Sequence, residues 1–176
     1  MKKHNLAFID IETTGLNLMQ HEIIEIGCIV VSPTFEILEE FALKIKPIHI
    51  ETADPVSLKI VHYDEEKWEE AITLKEAIKI LADKTEDSTM IGHNISFDAA
   101  FLDKAFFETK TKKKFFHFHL LDTISIAYAK LHDREDIEKL SLHELCAYFD
   151  IKNEHEHSAL SDIRATLELY KKLMSL

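Results

Sequence analysis

The spacing of apolar positions changes near residue 73. Before it they come in short runs: Leu6 to Ile11, then Ile23 to Val31, rich in β-branched residues, then a partly alternating stretch from Phe35 to Ile45. Runs of this length and composition predict strands. Thr13-Thr14-Gly15 between the first two is a turn signal, so the chain opens as an antiparallel meander. From Thr73 the period becomes helical, with Leu74, Ala77, Ile78, Leu81 and Ala82 on one face and Thr73 with Glu76 as a capping box. Thr89 to Ile91 predicts a fourth strand, ending at Gly92-His93-Asn94. Ser96 is placed to cap a helix through Phe97, Ala100, Phe101, Lys104 and Ala105. Phe118 to Leu121 predicts a short fifth strand, followed by a helix from about Asp122 to Leu131. Ser141 and Glu144 repeat the capping box and start a helix to about Phe149. A last helix spans about Ser158 to Met174, with Ala159, Ile163, Thr166, Leu167 and Tyr170 along one face. Three strands, then alternating helices and strands, predict an α/β fold with helices packed on a mixed sheet.

Composition narrows this only a little. A chain of 176 residues, 46% hydrophobic and 30% charged, is expected to fold as one globular domain, 1–176, with a substantial core. Cys28 and Cys146 stand far apart with no ligand-like pattern around them, so a disulfide framework or thiolate zinc site is not expected. A reducing, cytoplasmic location fits. Met1-Lys2-Lys3 precedes an apolar stretch, but Asp10 and Glu12 break it, which argues against a signal peptide or membrane span. The net charge of −11 disfavours extensive binding along a nucleic-acid backbone, which uses a basic face. It leaves room for an enzyme that grips a chain end through metal ions.

The chemistry lies in three separated clusters. Asp10-Ile11-Glu12 sits on the first predicted strand, where residues two apart share a face. Both carboxylates therefore project together while Ile11 points to the other layer. Asp98 falls in the first turn of a predicted helix, where the helix N-terminus favours a negative charge. Asp162 falls about one turn inside the last helix, and His157 just before it. Taken alone, Asp98 reads as a capping acid and His157 as a surface histidine among 11 in the chain. Taken together, four converging carboxylates repel one another, and the cheapest compensation is a divalent cation, most simply two. Mg²⁺ suits an all-oxygen donor set and keeps several waters. The unperturbed histidine pKa of about 6.5 suits general-base work at neutral pH.

These motifs carry a specific resemblance. Asp10-Ile11-Glu12-Thr13-Thr14-Gly15, Gly92-His93-Asn94 with Phe97-Asp98, and His157 five residues before Asp162 resemble the three motifs of the DnaQ-like 3′→5′ exonucleases, the DEDD superfamily. The histidine spacing is that of the DEDDh branch; the sister branch carries tyrosine four residues before the last Asp, where this chain has Ser158. The resemblance covers about residues 5 to 173. It implies an RNase H-like mixed sheet of five strands, the first three antiparallel and the rest parallel, with helices on both faces. It implies that Asp10, Glu12, Asp98 and Asp162 hold two Mg²⁺ or Mn²⁺ ions and that His157 takes the proton from the attacking water. One metal would help generate hydroxide, the other would stabilise the leaving 3′ oxygen, and nucleoside 5′-monophosphates would leave from the 3′ end.

The same resemblance suggests substrate contacts. Thr13, Thr14 and Leu16 match positions that cradle the terminal nucleotide, and Val61-His62 matches a nucleotide-contacting pair, though Tyr63 stands where glycine is frequent. Asn94 and Phe97 are further substrate-side candidates. Thr13-Thr14-Gly15 is closer to the polymerase-proofreading type than to the oligoribonuclease type, which favours DNA and allows a polymerase or homodimer partner. An RNA-processing or oligonucleotide-degrading exoribonuclease is the alternative. A non-catalytic nucleic-acid-binding module is a third reading, but it gains nothing from gathering four acids near phosphate. Lys110 to Lys114 with Phe115, Phe116 and Phe118 is the one basic-aromatic stretch, and reads better as a solvated loop entering a strand than as a nucleic-acid contact.

Overall fold

A computed structural model describes residues 4–115, 119–153 and 158–176. The three early strands are β1 (Asn5–Thr13), β2 (Ile23–Val31) and β3 (Ile37–Lys44), paired as an antiparallel meander. After helices α1 (Pro55–Ile60) and α2 (Leu74–Lys84), β4 (Ser88–Gly92) returns parallel to β1. Helix α3 (Ile95–Thr109) leads to β5 (Leu120–Asp122), parallel to β4. Helices α4 (Thr123–Leu131), α5 (Leu142–Tyr148) and α6 (Ala159–Ser175) follow. The strand order is β3-β2-β1-β4-β5, so β1 is central.

Period-2 alternation in β1 sorts its side chains between two layers. Ala7, Ile9 and Ile11 are buried with Ala77, Ile78 and Leu81 of α2 and Phe101, Leu102 and Ala105 of α3. Phe8 faces the other way, against Ile163, Leu167 and Tyr170 of α6. Behind α6, its Leu169 and Leu173 meet Ala127, Leu131 and Leu145 of α4 and α5. The sheet is thus covered on both faces, and Asp10 and Glu12, in step with Phe8, face α6.

Several expected elements move at their ends. The strand expected from Phe35 begins at Ile37, because Phe35 takes a positive φ of 64° in the preceding turn. The helix expected to start after Ser96 starts at Ile95, with Asn94 in the left-handed conformation as its N-cap and no side-chain cap. Ser96 only donates its hydroxyl to Asn94 Oδ1, at 3.4 Å. The fifth strand lies at Leu120–Asp122; Phe118, its expected start, lies outside the described residues. The capping box at Thr73 and Glu76 forms with both reciprocal bonds, and Ser141 accepts from the Glu144 N–H.

The stretch between residues 46 and 72 carries elements that apolar spacing does not reveal. They are α1 and two 3₁₀ turns, Ile50–Thr52 and Glu66–Trp68. Asp54 caps α1 by accepting from the Val56 N–H, and Pro55 occupies the first helical position, a local start signal independent of hydrophobic period. Trp68 is buried and donates its indole N–H to the Ile24 carbonyl at 3.0 Å, which pins this stretch to β2. Among the described residues no helix is long and apolar enough to cross a membrane.

Candidate active site

Two backbone features assemble the site. The parallel ladder between β1 and β4 runs only from Asn5 to Phe8. Beyond it β1 continues without β4 as a neighbour, and the Ile11 N–H donates instead to Asp98 Oδ1 at 3.0 Å. That bond draws the first turn of α3 against the end of β1 and leaves Asp98 buried beside Asp10. On the other side, Asp10 pairs in register with Gly27 of β2. Ala159, the first residue of α6, lies directly on Gly27: an added Cβ would overlap the Ala159 carbonyl group. The missing side chain lets the α6 N-terminus settle on the sheet, and Asp162 in its first turn then reaches the two strand carboxylates. One carboxylate oxygen from each of Asp10, Glu12 and Asp162 lies within 4.8 Å of the others.

The electrostatics of this face are one-sided. Burial pushes the Asp10 carboxyl well above the usual carboxylate range, and the charges of Asp98, Glu12, Asp162 and Glu25 add to the rise. Glu12 is pushed up to about 8, by burial first and then by Asp162, Glu25 and Asp98. Asp98 is also pushed to about 8 by burial, even though the Ile11 N–H favours its ionised form. Among the described residues no lysine or arginine pairs with Asp10, Glu12 or Asp98. Without a cation, the ionised forms of these acids cannot all be kept at neutral pH. Three convergent oxygen donors, with a fourth acid adjacent, fit a hard divalent cation.

Glu25 is a fifth acid that motif reading misses. It is 8% exposed and lies opposite Glu12 in the β1–β2 register, so both side chains share a face. Burial raises its pKa, and Lys44, its partner in the β2–β3 register, pulls against that rise. The available signal was an acid interrupting a run of isoleucines, the same signal that marks Asp10 and Glu12.

The other expected site residues fall into distinct settings. Thr13 and Thr14 are buried and lock the turn. Thr13 Oγ1 donates to the Gly15 carbonyl at 2.8 Å, and Thr14 Oγ1 accepts from the Glu22 N–H at 2.9 Å. The Thr14 carbonyl accepts from the Asp54 N–H at 2.8 Å, which brings the α1 segment beside the first motif. Gly15 packs flat on the His21 ring, leaving no room for a Cβ. Lys104 Nζ ties down the same loop by donating to the Leu18 and His21 carbonyls at 2.8 and 3.2 Å. Leu16 is therefore held 78% exposed at the tip of a fixed loop. Val61 is buried and His62 exposed at a positive φ of 52°. Asn94 is exposed, and its N–H donates to Asp122 Oδ1 at 3.2 Å. Phe97 is half-buried and tilted on Phe101. His157 lies outside the described residues.

A mixed sheet of this order, covered on both faces and carrying its acids at the end of a central strand, is an RNase H-like fold. The chain belongs to the RNase_T exonuclease family, matched over residues 7–170. It is similar to the DNA polymerase III subunit epsilon of Buchnera aphidicola subsp. Schizaphis graminum, 29% identical over 94% of this chain and 72% of that protein. The PolC-type DNA polymerase III of Caldanaerobacter subterraneus subsp. tengcongensis is 28% identical over 94% of this chain. The chain spans only 11% of that polymerase's length. Among solved structures, a zinc-bound complex of E. coli exonuclease I with single-stranded DNA superposes with a TM-score of 0.85. That match covers 98% of this chain and 41% of the other, at 16% identity. The expected fold is borne out.

Proposed function

We propose that this chain, folded as one nuclease domain, is a metal-dependent 3′→5′ exonuclease acting on a single-stranded or frayed 3′ end, with DNA preferred over RNA. The observation that carries this reading is the convergence of Asp10, Glu12 and Asp162 at the end of a central strand, with Asp98 drawn in through the Ile11 amide. Asp10, Glu12, Asp98 and Asp162 would hold two divalent cations, Mg²⁺ or Mn²⁺, which supply an activated water and charge stabilisation for the leaving oxygen. His157, five residues before Asp162, takes the proton from the attacking water. Leu16, held outward by the fixed loop, and Asn94 and Phe97 at the start of α3 bound the place of the terminal nucleotide. Thr13, Thr14 and Val61 shape that place, and His62 borders it. The polymerase names of the relatives favour association with a DNA polymerase. A cytoplasmic enzyme follows from that association.

The test is one panel: 5′-labelled single-stranded DNA, duplex DNA and RNA, each with Mg²⁺ or Mn²⁺. The expected result is stepwise shortening from the 3′ end with release of mononucleotides, fastest on single-stranded DNA and abolished by chelation. Internal cuts, or no hydrolysis in either metal, would overturn the assignment.

A further inference from the structure

Asn153 lies outside the motifs, yet it makes one of the shortest polar contacts at the site. Its Nδ2 donates to Asp162 Oδ1 at 2.6 Å, the short range of a bond to a charged acceptor. Its Oδ1 in turn accepts from Ser161 Oγ at 2.7 Å. The direction of this chain is set by chemistry. An ionised carboxylate only accepts, and a carboxamide offers one oxygen and one NH₂. With the Ser161 hydroxyl on its oxygen, Asn153 must turn its NH₂ to Asp162. The flipped amide would set a carbonyl oxygen against a carboxylate.

The geometry points to Asn153 as a positioning residue: it fixes the rotamer of the Asp162 carboxylate toward Asp10 and Glu12, and Ser161 fixes Asn153. This rests on the reading of the acid cluster as a metal site. The residue type fits the task. A lysine or arginine at this place would hold Asp162 equally well but would cancel its charge and compete with a cation. A neutral amide orients the carboxylate and leaves the charge intact. The pleat of β1 puts Asp10 and Glu12 on one face and the Ile11 amide holds Asp98; the Asn153 amide does the corresponding work on Asp162 Oδ1.

The experiment is calorimetric titration of Mn²⁺ alone into wild type, N153A and S161A, with thermal melts of the metal-free proteins. N153A is expected to weaken Mn²⁺ binding by about 10- to 100-fold, the range for a group that orients a ligand. S161A keeps the amide but frees its orientation, and is expected to weaken binding by about two- to tenfold, the worth of one neutral hydrogen bond. Alanine suits the helical position of Ser161, so that variant keeps the fold even if N153A does not. Metal-free melting temperatures are expected to stay near wild type, and raised metal is expected to restore hydrolysis in both variants. Mn²⁺ binding as tight as wild type, or tighter, in S161A and in any folded N153A overturns the inference alone. A wild-type protein that binds no Mn²⁺ overturns the metal-site reading and this inference with it.

Discussion

The acid face and the loop around Lys110–Lys114 are both dense in charge, and the fold treats them in opposite ways. In the loop, Lys113 and Lys114 are matched with acids. Lys113 meets Asp103 at 2.7 Å, and Lys114 meets Asp83 at 2.8 Å and Glu86 at 3.7 Å. The hydrogen bonds from Lys114 and Lys79 pull Asp83 down to about 2. On the acid face the carboxylates sit in a buried place with one another as neighbours, and Glu12 and Asp98 rise to about 8. The acids around this loop find cations within the chain; the site acids are arranged so that a cation must come from outside. That contrast separates a functional cluster from a solvated one better than a count of charges does.

The largest effect is expected from Asp98→Asn. The amide oxygen can still accept from the Ile11 N–H, so the fold keeps its tie while the charge is removed. Hydrolysis is expected to fall by more than the about 10- to 100-fold typical of groups that merely orient a ligand. Removing one of several repelling charges is expected at the same time to raise the melting temperature of the metal-free protein at pH 8. A variant that loses activity and also melts lower would show that Asp98 is structural, and the contrast with the loop acids would narrow.

Next in size is Gly27→Ala. The new methyl group must displace the start of α6 from the sheet, a strain of about 1–3 kcal/mol. Asp162 moves with that helix, so Mn²⁺ affinity measured by calorimetry is expected to drop along with stability. Retained affinity would mean that α6 can tilt without carrying Asp162 away.

A smaller effect, specific in sign, comes from pH. The folded-state values of Glu12 and Asp98 lie above those of the unfolded chain, so between the ordinary carboxylate range and about 8 the folded state binds more protons. Stability therefore falls as pH rises through that window. Metal-free protein is expected to lose melting temperature between pH 5 and pH 8, and saturating Mg²⁺ is expected to restore it at pH 8, because the cation binds the ionised acids. A melting temperature that rises with pH in the metal-free protein would contradict the buried-acid account.

Much of the fold and of the site is legible in the sequence, and the reasons divide cleanly. Strand β2 came out residue for residue because a nine-residue stretch rich in branched apolar residues, even with Glu25 and Gly27 in it, reads as a buried strand. Helix α2 followed from period and its capping box, and α6 from period alone. The motif acids stood out because a carboxylate within an apolar run is costly and so demands an explanation. Helix α1 was hidden because it buries none of its own residues and so leaves no apolar stripe. Asn94 rather than Ser96 caps α3 because Asn tolerates the left-handed turn that follows β4, and composition alone does not reveal that turn. Glu25 and Asn153 were hidden for a deeper reason. Their significance depends on strand register and on which side chain a loop places against α6, and both are properties of the assembled fold.

The smallest expected effect belongs to the loop. Reversing Lys112, Lys113 and Lys114 to Glu tests whether its cations serve the chain or a ligand. The Asp87 N–H donates to the Lys114 carbonyl at 3.0 Å, which places the loop beside the start of β4. Asn94 and Asp98 lie past the other end of that strand. Two of the three lysines are already paired with acids of the same chain. The triple reversal is therefore expected to lower stability somewhat, by breaking those pairs, and to leave the Michaelis constant and its salt dependence unchanged. Were the three lysines phosphate contacts to a single strand, the slope of log affinity against log salt would shrink by about 2. A shift of that size would make the loop part of the substrate path. It would also show that internally paired charge can still be lent to a ligand, which is the sharpest way the contrast with the acid face could fail.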